Sequence, residues 1–328
     1  MDINTEFNRS LELTIMPTEQ CDCRCVYCPE KFEIGRMSGE TVSALKKFIG
    51  IRVPELTNLS ISWFGGEPLV GYPIILNIME HVNSIKNKNT VLTSNATTNG
   101  RRLTLDKLQA LTDLGVGSYQ ISFDGDKEEH DKLRITVDHR GTFDAIWGNI
   151  LDAHRSRIRF NTTIRLHVNK NNEQSMERML RKISVELEKD ERFMIFIRPL
   201  SRLGSQNDTN LPIVEDKASV TRLKSFAMGL GLKVIRDDDN VICYAAKPNA
   251  YVIRADGTLS KCTVKLYEDY NIIGRLNPDG TLNIDANKVM LWSRGIISGD
   301  KKELSCPAKN FPQDESKNGM KLKILNNG

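Results

Sequence analysis

Seven cysteines give this 328-residue chain its most pointed chemistry, and four of them crowd into residues 21–28: Cys21, Cys23, Cys25 and Cys28. Cys21, Cys25 and Cys28 have the spacing Cys-x3-Cys-x2-Cys. Three thiolates on a short loop can each hold one iron of a four-iron, four-sulfur cube and leave the fourth iron without a protein ligand. Iron–sulfur clusters usually take four cysteines, so a site of three has an open position where a small molecule can bind and receive an electron. With Cys23 included, the same loop could instead wrap a zinc ion. Cys23 is read as a small buried hydrophobe and not as a ligand. The remaining thiols, Cys243, Cys262 and Cys306, ask for a second metal site. A disulfide framework fits poorly with a long chain whose first ten residues, MDINTEFNRS, are polar and acidic rather than a signal peptide.

The elements that must position these thiols follow from periodicity. Runs of strand length at 11–16, 59–64, 90–95, 118–123, 159–167 and 194–197 alternate with amphipathic segments at 39–51, 72–86, 104–114, 142–156, 173–187 and 215–230. Six such alternations predict a parallel sheet covered by helices. Six units are fewer than the eight of a closed barrel, so the expected fold is α/β: a partial (β/α)6 TIM-like barrel with ligands gathered at the carboxyl ends of its strands. The stretch 204–210 reads as a polar loop. Beyond Gly231 the pattern changes to a hairpin at 251–262, turning at Asp256-Gly257, with a second turn at 277–280. The expected organisation is a barrel at 1–232, a small α+β domain at 233–312 and a loose tail at 313–328.

The 46 basic and 42 acidic residues leave a net charge of +4. That balance argues against a nucleic-acid binder driven by a large basic patch. No run approaches the ~20 apolar residues of a membrane helix, so a cytoplasmic protein without a membrane partner is expected.

Tyr27, just before the third cysteine, completes a motif that resembles the radical S-adenosylmethionine (SAM) superfamily. The resemblance implies that the open iron of a [4Fe-4S] cluster on Cys21, Cys25 and Cys28 chelates SAM. Reductive cleavage would then release a 5′-deoxyadenosyl radical that abstracts a hydrogen atom from the substrate. Gly65-Gly66-Glu67-Pro68, at the end of the second strand, matches the family's Gly-Gly-Glu-Pro motif, whose backbone and carboxylate bind the SAM ammonium. Glycines allow close backbone approach and a cationic amine needs acceptors, although the four residues also read as a strand-ending turn. By the same resemblance Ser122 and Arg134 would hold the SAM carboxylate, Asn99 would lie near the ribose and Asn169 would face the adenosine. Singly these are commonplace turn formers; in order on successive strands they carry weight together.

The segment from His130 to Arg134, followed by Gly141-Thr142-Phe143, is similar to the branch of anaerobic sulfatase maturases and ribosomal-peptide maturases, with Asp126 where that branch has proline. His130 also reads as a helix-start residue on a solvated face. Cys243, Gly257 and Cys262 match the Cys-x(9–15)-Gly-x4-Cys opening of SPASM and twitch domains. With Cys306 they imply one auxiliary [4Fe-4S] cluster, although three ordinary buried cysteines would look the same.

The leading functional reading is a radical SAM maturase acting on a peptide or protein side chain by crosslinking, epimerisation or oxidation. An electron donor such as flavodoxin or ferredoxin is implied, and the twenty residues before Cys21 are too few for a leader-binding domain, so a separate leader-binding partner is a candidate. The alternatives are a radical SAM dehydrogenase or epimerase of a small molecule such as an aminocyclitol, and a non-catalytic zinc scaffold. Arg198 and Arg202 are expected beyond the sixth strand at the mouth of the site, as anion binders or as surface charges.

Overall fold

The computed structural model describes residues 9–311, except 206, 215–216 and 237–240. Alternating apolar residues build six strands: β1 (Ser10–Ile15), β2 (Asn58–Trp63), β3 (Val91–Thr98), β4 (Val116–Phe123), β5 (Asn161–Val168) and β6 (Phe193–Pro199). They pair in chain order, all parallel. Parallel neighbours need crossovers, supplied by α1 (Gly39–Arg52), α2 (Tyr72–Ile85), α3 (Leu105–Asp113), α4 (Lys127–Leu133), α5 (Phe143–Arg155) and α6 (Glu173–Glu186). A further helix, α7 (Ala218–Gly229), follows β6. The result is an open (β/α)6 partial barrel.

Strand parity separates its two faces. On β5, Ile164, Leu166 and Val168 are buried in the helix-covered core, each contributing about 1.5–3 kcal/mol of burial free energy. Thr163, Arg165 and His167 alternate with them on the opposite, inward face. Glu12, Thr14, Ser60, Ser62, Asn95 and Gln120 line an inner cavity of about 280 Å³. The barrel lumen is therefore polar.

An open barrel leaves a free edge on β1. That edge is taken by β7 (Ala250–Ile253), parallel to β1 with Glu12 opposite Ala250 and Ile15 opposite Ile253. Then β8 (Thr258–Ser260), β9 (Ile272–Leu276) and β10 (Leu282–Ile284) add antiparallel. The turns expected near 257 and 277–280 join these strands. Ten strands thus form one sheet, continuous across the change of pattern at 232. Covering an exposed strand edge also removes a template for aggregation. The chain continues through α8 (Ala286–Trp292), α9 (Arg294–Ser298) and α10 (Lys301–Ser305), and Tyr270, Trp292 and Phe311 stack beneath them. The tail expected at 313–328 lies outside the described residues. Among those described, no helix is long and apolar enough to cross a membrane.

Candidate active site

The cysteine loop leaves the carboxyl end of β1 and is held by a partner the sequence does not announce. Residues 133–137, just after α4, run antiparallel to it. Arg24 N–H donates to Ile135 O at 2.7 Å, Val26 N–H to Leu133 O at 2.9 Å and Val137 N–H to Asp22 O at 3.2 Å. Asp126 caps α4 by accepting from Glu129 N–H and also takes Arg178 at 2.6 Å. An acidic cap at a helix start satisfies an orphan donor and suits the dipole, so the departure from proline at 126 starts a helix. The Asp22 carboxylate ties the other side of the loop to the turn after β3. It accepts from Arg101 at 2.9 Å, Arg102 at 2.8 Å and Asn99 at 2.8 Å.

Cys23 is buried, with the Asn99 amide 3.3 Å from its sulfur. Burial raises the Cys28 thiol to about 12 and also raises Cys25, where nearby Arg134 opposes it. Cys21 is lowered by its hydrogen bond with Cys23. Charges on Cys21, Cys25 and Cys28 influence one another, as thiols facing a common space do.

Gly65-Gly66-Glu67-Pro68 lies directly under this loop. Gly65 has φ of 131°, and a Cβ there would run into the Thr18 carbonyl oxygen; one on Gly66 would sit 2.7 Å from Gln20 O. The glycines let two backbones cross at the mouth of the barrel. The Glu67 carboxylate is fully buried and already occupied. It accepts from Leu69 N–H at 2.9 Å, Thr98 Oγ1 at 2.7 Å and Asn99 N–H at 2.6 Å, while burial pushes it up to about 7. What remains for an outside cation is the backbone of this turn, because the side chain ties the end of β2 to the end of β3. Pro68 opens the short 3-10 turn Pro68–Gly71.

Tyr27 is the centre of a buried network. Its hydroxyl donates to Asp124 Oδ2 at 2.8 Å and accepts from Arg134 Nη1 at 2.6 Å. Asp124 Oδ1 lies 3.4 Å from His167 Nδ1 and lacks a well-formed hydrogen bond. Burial pushes this carboxyl up, but His167 and Arg134 more than offset it. Arg134 thus already serves the loop, and Ser122, near the end of β4, has no side-chain partner among the described residues. Asn169 Oδ1 accepts from Asn171 N–H in a local turn. Asn172 clamps Asp124 O and His167 O at 2.9 Å each. His130 is not on a solvated face. It is wholly buried, 2.9 Å from Thr142 Oγ1, and burial lowers it to about 4. Sequence reading takes Asp124 only as part of the segment 122–125, without a role, and leaves His167 unassigned, although Asp124 directly follows β4 and the inward parity of β5 marks His167.

Residues 15–183 match the family model of the Radical SAM superfamily. The chain belongs to that superfamily. It is 26% identical over 293 residues to a cysteine-type anaerobic sulfatase-maturating enzyme of Clostridium novyi, covering 80% of this chain and 76% of that one. Its fold matches native anSMEcpe with bound AdoMet and Cp18Cys peptide, at a TM-score of 0.64 and 18% identity over 86% of this chain and 80% of that one. It also matches Streptococcus suis SuiB bound to precursor peptide SuiA, at 0.58 and 15% over 88% and 66%.

Radical SAM enzymes use SAM and a [4Fe-4S] cluster held by three cysteines, and the donor set in this radical SAM chain fits that group. Among the described residues, the one trio of metal-binding side chains with ligand atoms within 4.8 Å of one another is Cys21, Asp22 and Cys23. Four thiolates on a tetrahedral zinc would sit only about 3.8 Å apart, a spacing that Cys21, Cys23, Cys25 and Cys28 do not share. Asp22 is also committed to its two arginines. A cube of four irons holds its thiolates farther apart than a single ion does.

The last three cysteines of this radical SAM chain converge from three elements. Cys243 precedes the turn Tyr244–Ala246 and donates its N–H to Leu304 O at 2.8 Å. Cys262 follows β8, and the Asn271 side chain bonds both its N–H and its carbonyl at 2.8 Å. Cys306 ends α10 and is exposed. Burial raises Cys243 and Cys262, and Cys306 raises both further. Arg198 lies within β6 rather than beyond it. Arg202 is exposed and donates to Asp208 O at 2.8 Å.

Proposed function

We propose that this radical SAM enzyme is a maturase that modifies a side chain of a peptide or protein. The observation that carries the reading is the cysteine loop itself, pinned by residues 133–137 across the carboxyl end of a barrel with a polar lumen. In this reading Cys21, Cys25 and Cys28 hold the SAM cluster. The backbone of Gly65 to Pro68 takes the SAM ammonium, Ser122 with Arg134 its carboxylate, and Asn99 and Asn169 border the nucleoside. Bound SAM, reduced through the cluster, supplies a 5′-deoxyadenosyl radical for hydrogen abstraction. The protein's part is to orient SAM and exclude water. Tyr27 and Asp124 lock Arg134, while Glu67 holds the ends of β2 and β3 in place. The barrel at 1–232 and the region at 233–312 act as two functional units, the second carrying an auxiliary cluster on Cys243, Cys262 and Cys306. Similarity to a sulfatase-maturating enzyme, and a fold shared with proteins solved with bound peptides, support a peptide substrate. Seven free cysteines suit a reducing cytoplasm and a protein electron donor.

The test is anaerobic reconstitution followed by reduction in the presence of SAM. We expect about eight irons per chain and 5′-deoxyadenosine formation stimulated by a precursor peptide. Stimulation by an alcohol such as an aminocyclitol, with none by peptides, overturns the maturase assignment. Tightly bound zinc without iron overturns the radical chemistry altogether.

A further inference from the structure

The inner cavity contains an arginine whose charge Tyr27 and Asp124 favour only from a distance. Arg165 points from β5 into the lumen, and its Nε is buried with no hydrogen-bond partner. No carboxylate among the described residues pairs with it. Glu12, the acid that lines the same cavity, is bonded to Lys247. Asp124 accepts from Tyr27 and lies 3.4 Å from His167; it favours the Arg165 charge through space but is not paired with it. Phe196, opposite Arg165 in the strand register, lies beneath both the Arg165 guanidinium at 5.9 Å and that of Arg198 at 4.9 Å. Neither of these contacts supplies a negative charge, and Arg198 pushes the Arg165 pKa down further after burial has lowered it. A guanidinium Nε–H held away from water without an acceptor favours an anion that can meet it. The Nε edge of a guanidinium matches a carboxylate with two parallel hydrogen bonds.

Two carboxylates compete for that edge. Ser122 is the register partner of Arg165, so the SAM carboxylate is one claimant. Arg134, however, is bonded to Tyr27 of the cysteine loop; Arg165 feels the charges of both, but no residue of 21–28 lines its cavity. That cavity is closed instead by Tyr244 and Thr263, the neighbours of Cys243 and Cys262. Arg165 therefore faces the space between the two cysteine sites, where a substrate would lie.

We propose that Arg165, backed by Phe196, receives a carboxylate of the substrate, so that the modified peptide presents an Asp or Glu side chain into the lumen. The inference rests on the maturase reading. It identifies a specificity-determining residue and the chemical class of the substrate.

The experiment uses reconstituted holoenzyme with SAM and two pools of short randomised peptides, one with Asp or Glu fixed at the centre and one with Asn or Gln. Retention on ultrafiltration is read by mass spectrometry. The acidic pool is retained about tenfold more strongly, Arg165→Gln erases that preference, and Arg165→Lys restores part of it. Equal retention of the two pools by the wild type overturns the proposal. A loss of about tenfold in SAM affinity on Arg165→Gln assigns the residue to the SAM carboxylate and also overturns it. A second measurement needs no variant: phenylglyoxal modification of wild-type Arg165, mapped by mass spectrometry, is slowed by the acidic pool and not by SAM alone. Slowing by SAM alone, or by neither, overturns the assignment. Peptides that stimulate 5′-deoxyadenosine formation with no acidic preference leave the maturase reading standing while removing this one. Retention of glutarate with no retention of either pool removes the acidic peptide and the maturase reading together.

Discussion

The two cysteine sites are built on opposite principles. Cys21, Cys25 and Cys28 share one loop, and its direct supports lie within the barrel: the strand-like pairing with 133–137, the grip on Asp22 and the glycines beneath, with the Arg254–Glu19 pair joining its start to the second region. Cys243, Cys262 and Cys306 come from three elements; the Cys243–Leu304 backbone bond joins two of them, and Asn271 fixes the segment of Cys262. A local site keeps its thiols near one another even when surrounding structure loosens. An assembled site has them together only when the region has folded, so its metal affinity includes the free energy of that folding. In the proposed reading the first design would suit a site whose open vertex small molecules reach, and the second would tie a metal to the closure of the chain.

Substitution can break this contrast. The largest effect is expected from Cys25→Ala: loss of about four irons and a fall of about a thousandfold in 5′-deoxyadenosine formation. Cys23→Ala, beside it, should change both by less than about twofold, because its sulfur fills space. Iron analysis and chromatography of the SAM cleavage products read both variants. Next comes Arg254→Gln. Arg254 pairs with Glu19 at 2.6 Å in a buried bridge from β7–β8 to the start of the cysteine loop. Removing one partner strands the other and costs about 3–5 kcal/mol, measured by denaturant unfolding. If the two regions are energetically independent, the loss is confined to one of two resolved transitions; a single shifted transition shows them coupled. Cys262→Ala should remove about four irons yet leave substrate-free SAM cleavage within about threefold of wild type. A collapse of that cleavage would erase the distinction between the sites.

The smallest effect is a pH dependence that sharpens the barrel side. Burial lowers His130 from 6.5 to about 4, so the unfolded chain takes up a proton that the folded one refuses. The stability of the neutral form is present above about pH 6.5 and is lost as pH falls toward 4, by about 1 kcal/mol per pH unit. Glu67, raised to about 7, acts in the opposite sense over pH 4.5–7. Only the difference between His130→Gln and wild type isolates the histidine, and that difference should shrink steadily as the pH is lowered from 6.5 to 4.

Much of the barrel was legible in the sequence because period-2 alternation and helical periodicity are local. β5 reads as a strand from Thr162, Ile164, Leu166 and Val168 alone. α4 did not read as a helix because its seven residues, KEEHDKL, include one apolar side chain and too few turns to show a period. The cysteine loop was legible from spacing. Its supports were not, because Tyr27 and Asp124 lie 97 positions apart and meet only through the topology. Arg165 had no motif at all. Its meaning comes from a cavity, and cavities belong to the folded chain. The pairing of β7 with β1 was hidden for the same reason, since nothing in a strand's sequence names its neighbour.

That pairing has a consequence for how the protein is made. β1 lies about 240 residues ahead of β7, its partner on the outer edge. At ~5–20 residues per second on the ribosome, that interval is roughly 10–50 s, during which one side of β1 has no strand to bond. The loop that leaves this strand carries the thiols proposed to hold the SAM cluster. A nascent chain stalled before Ala250 would therefore expose both a sticky edge and the thiols of that loop.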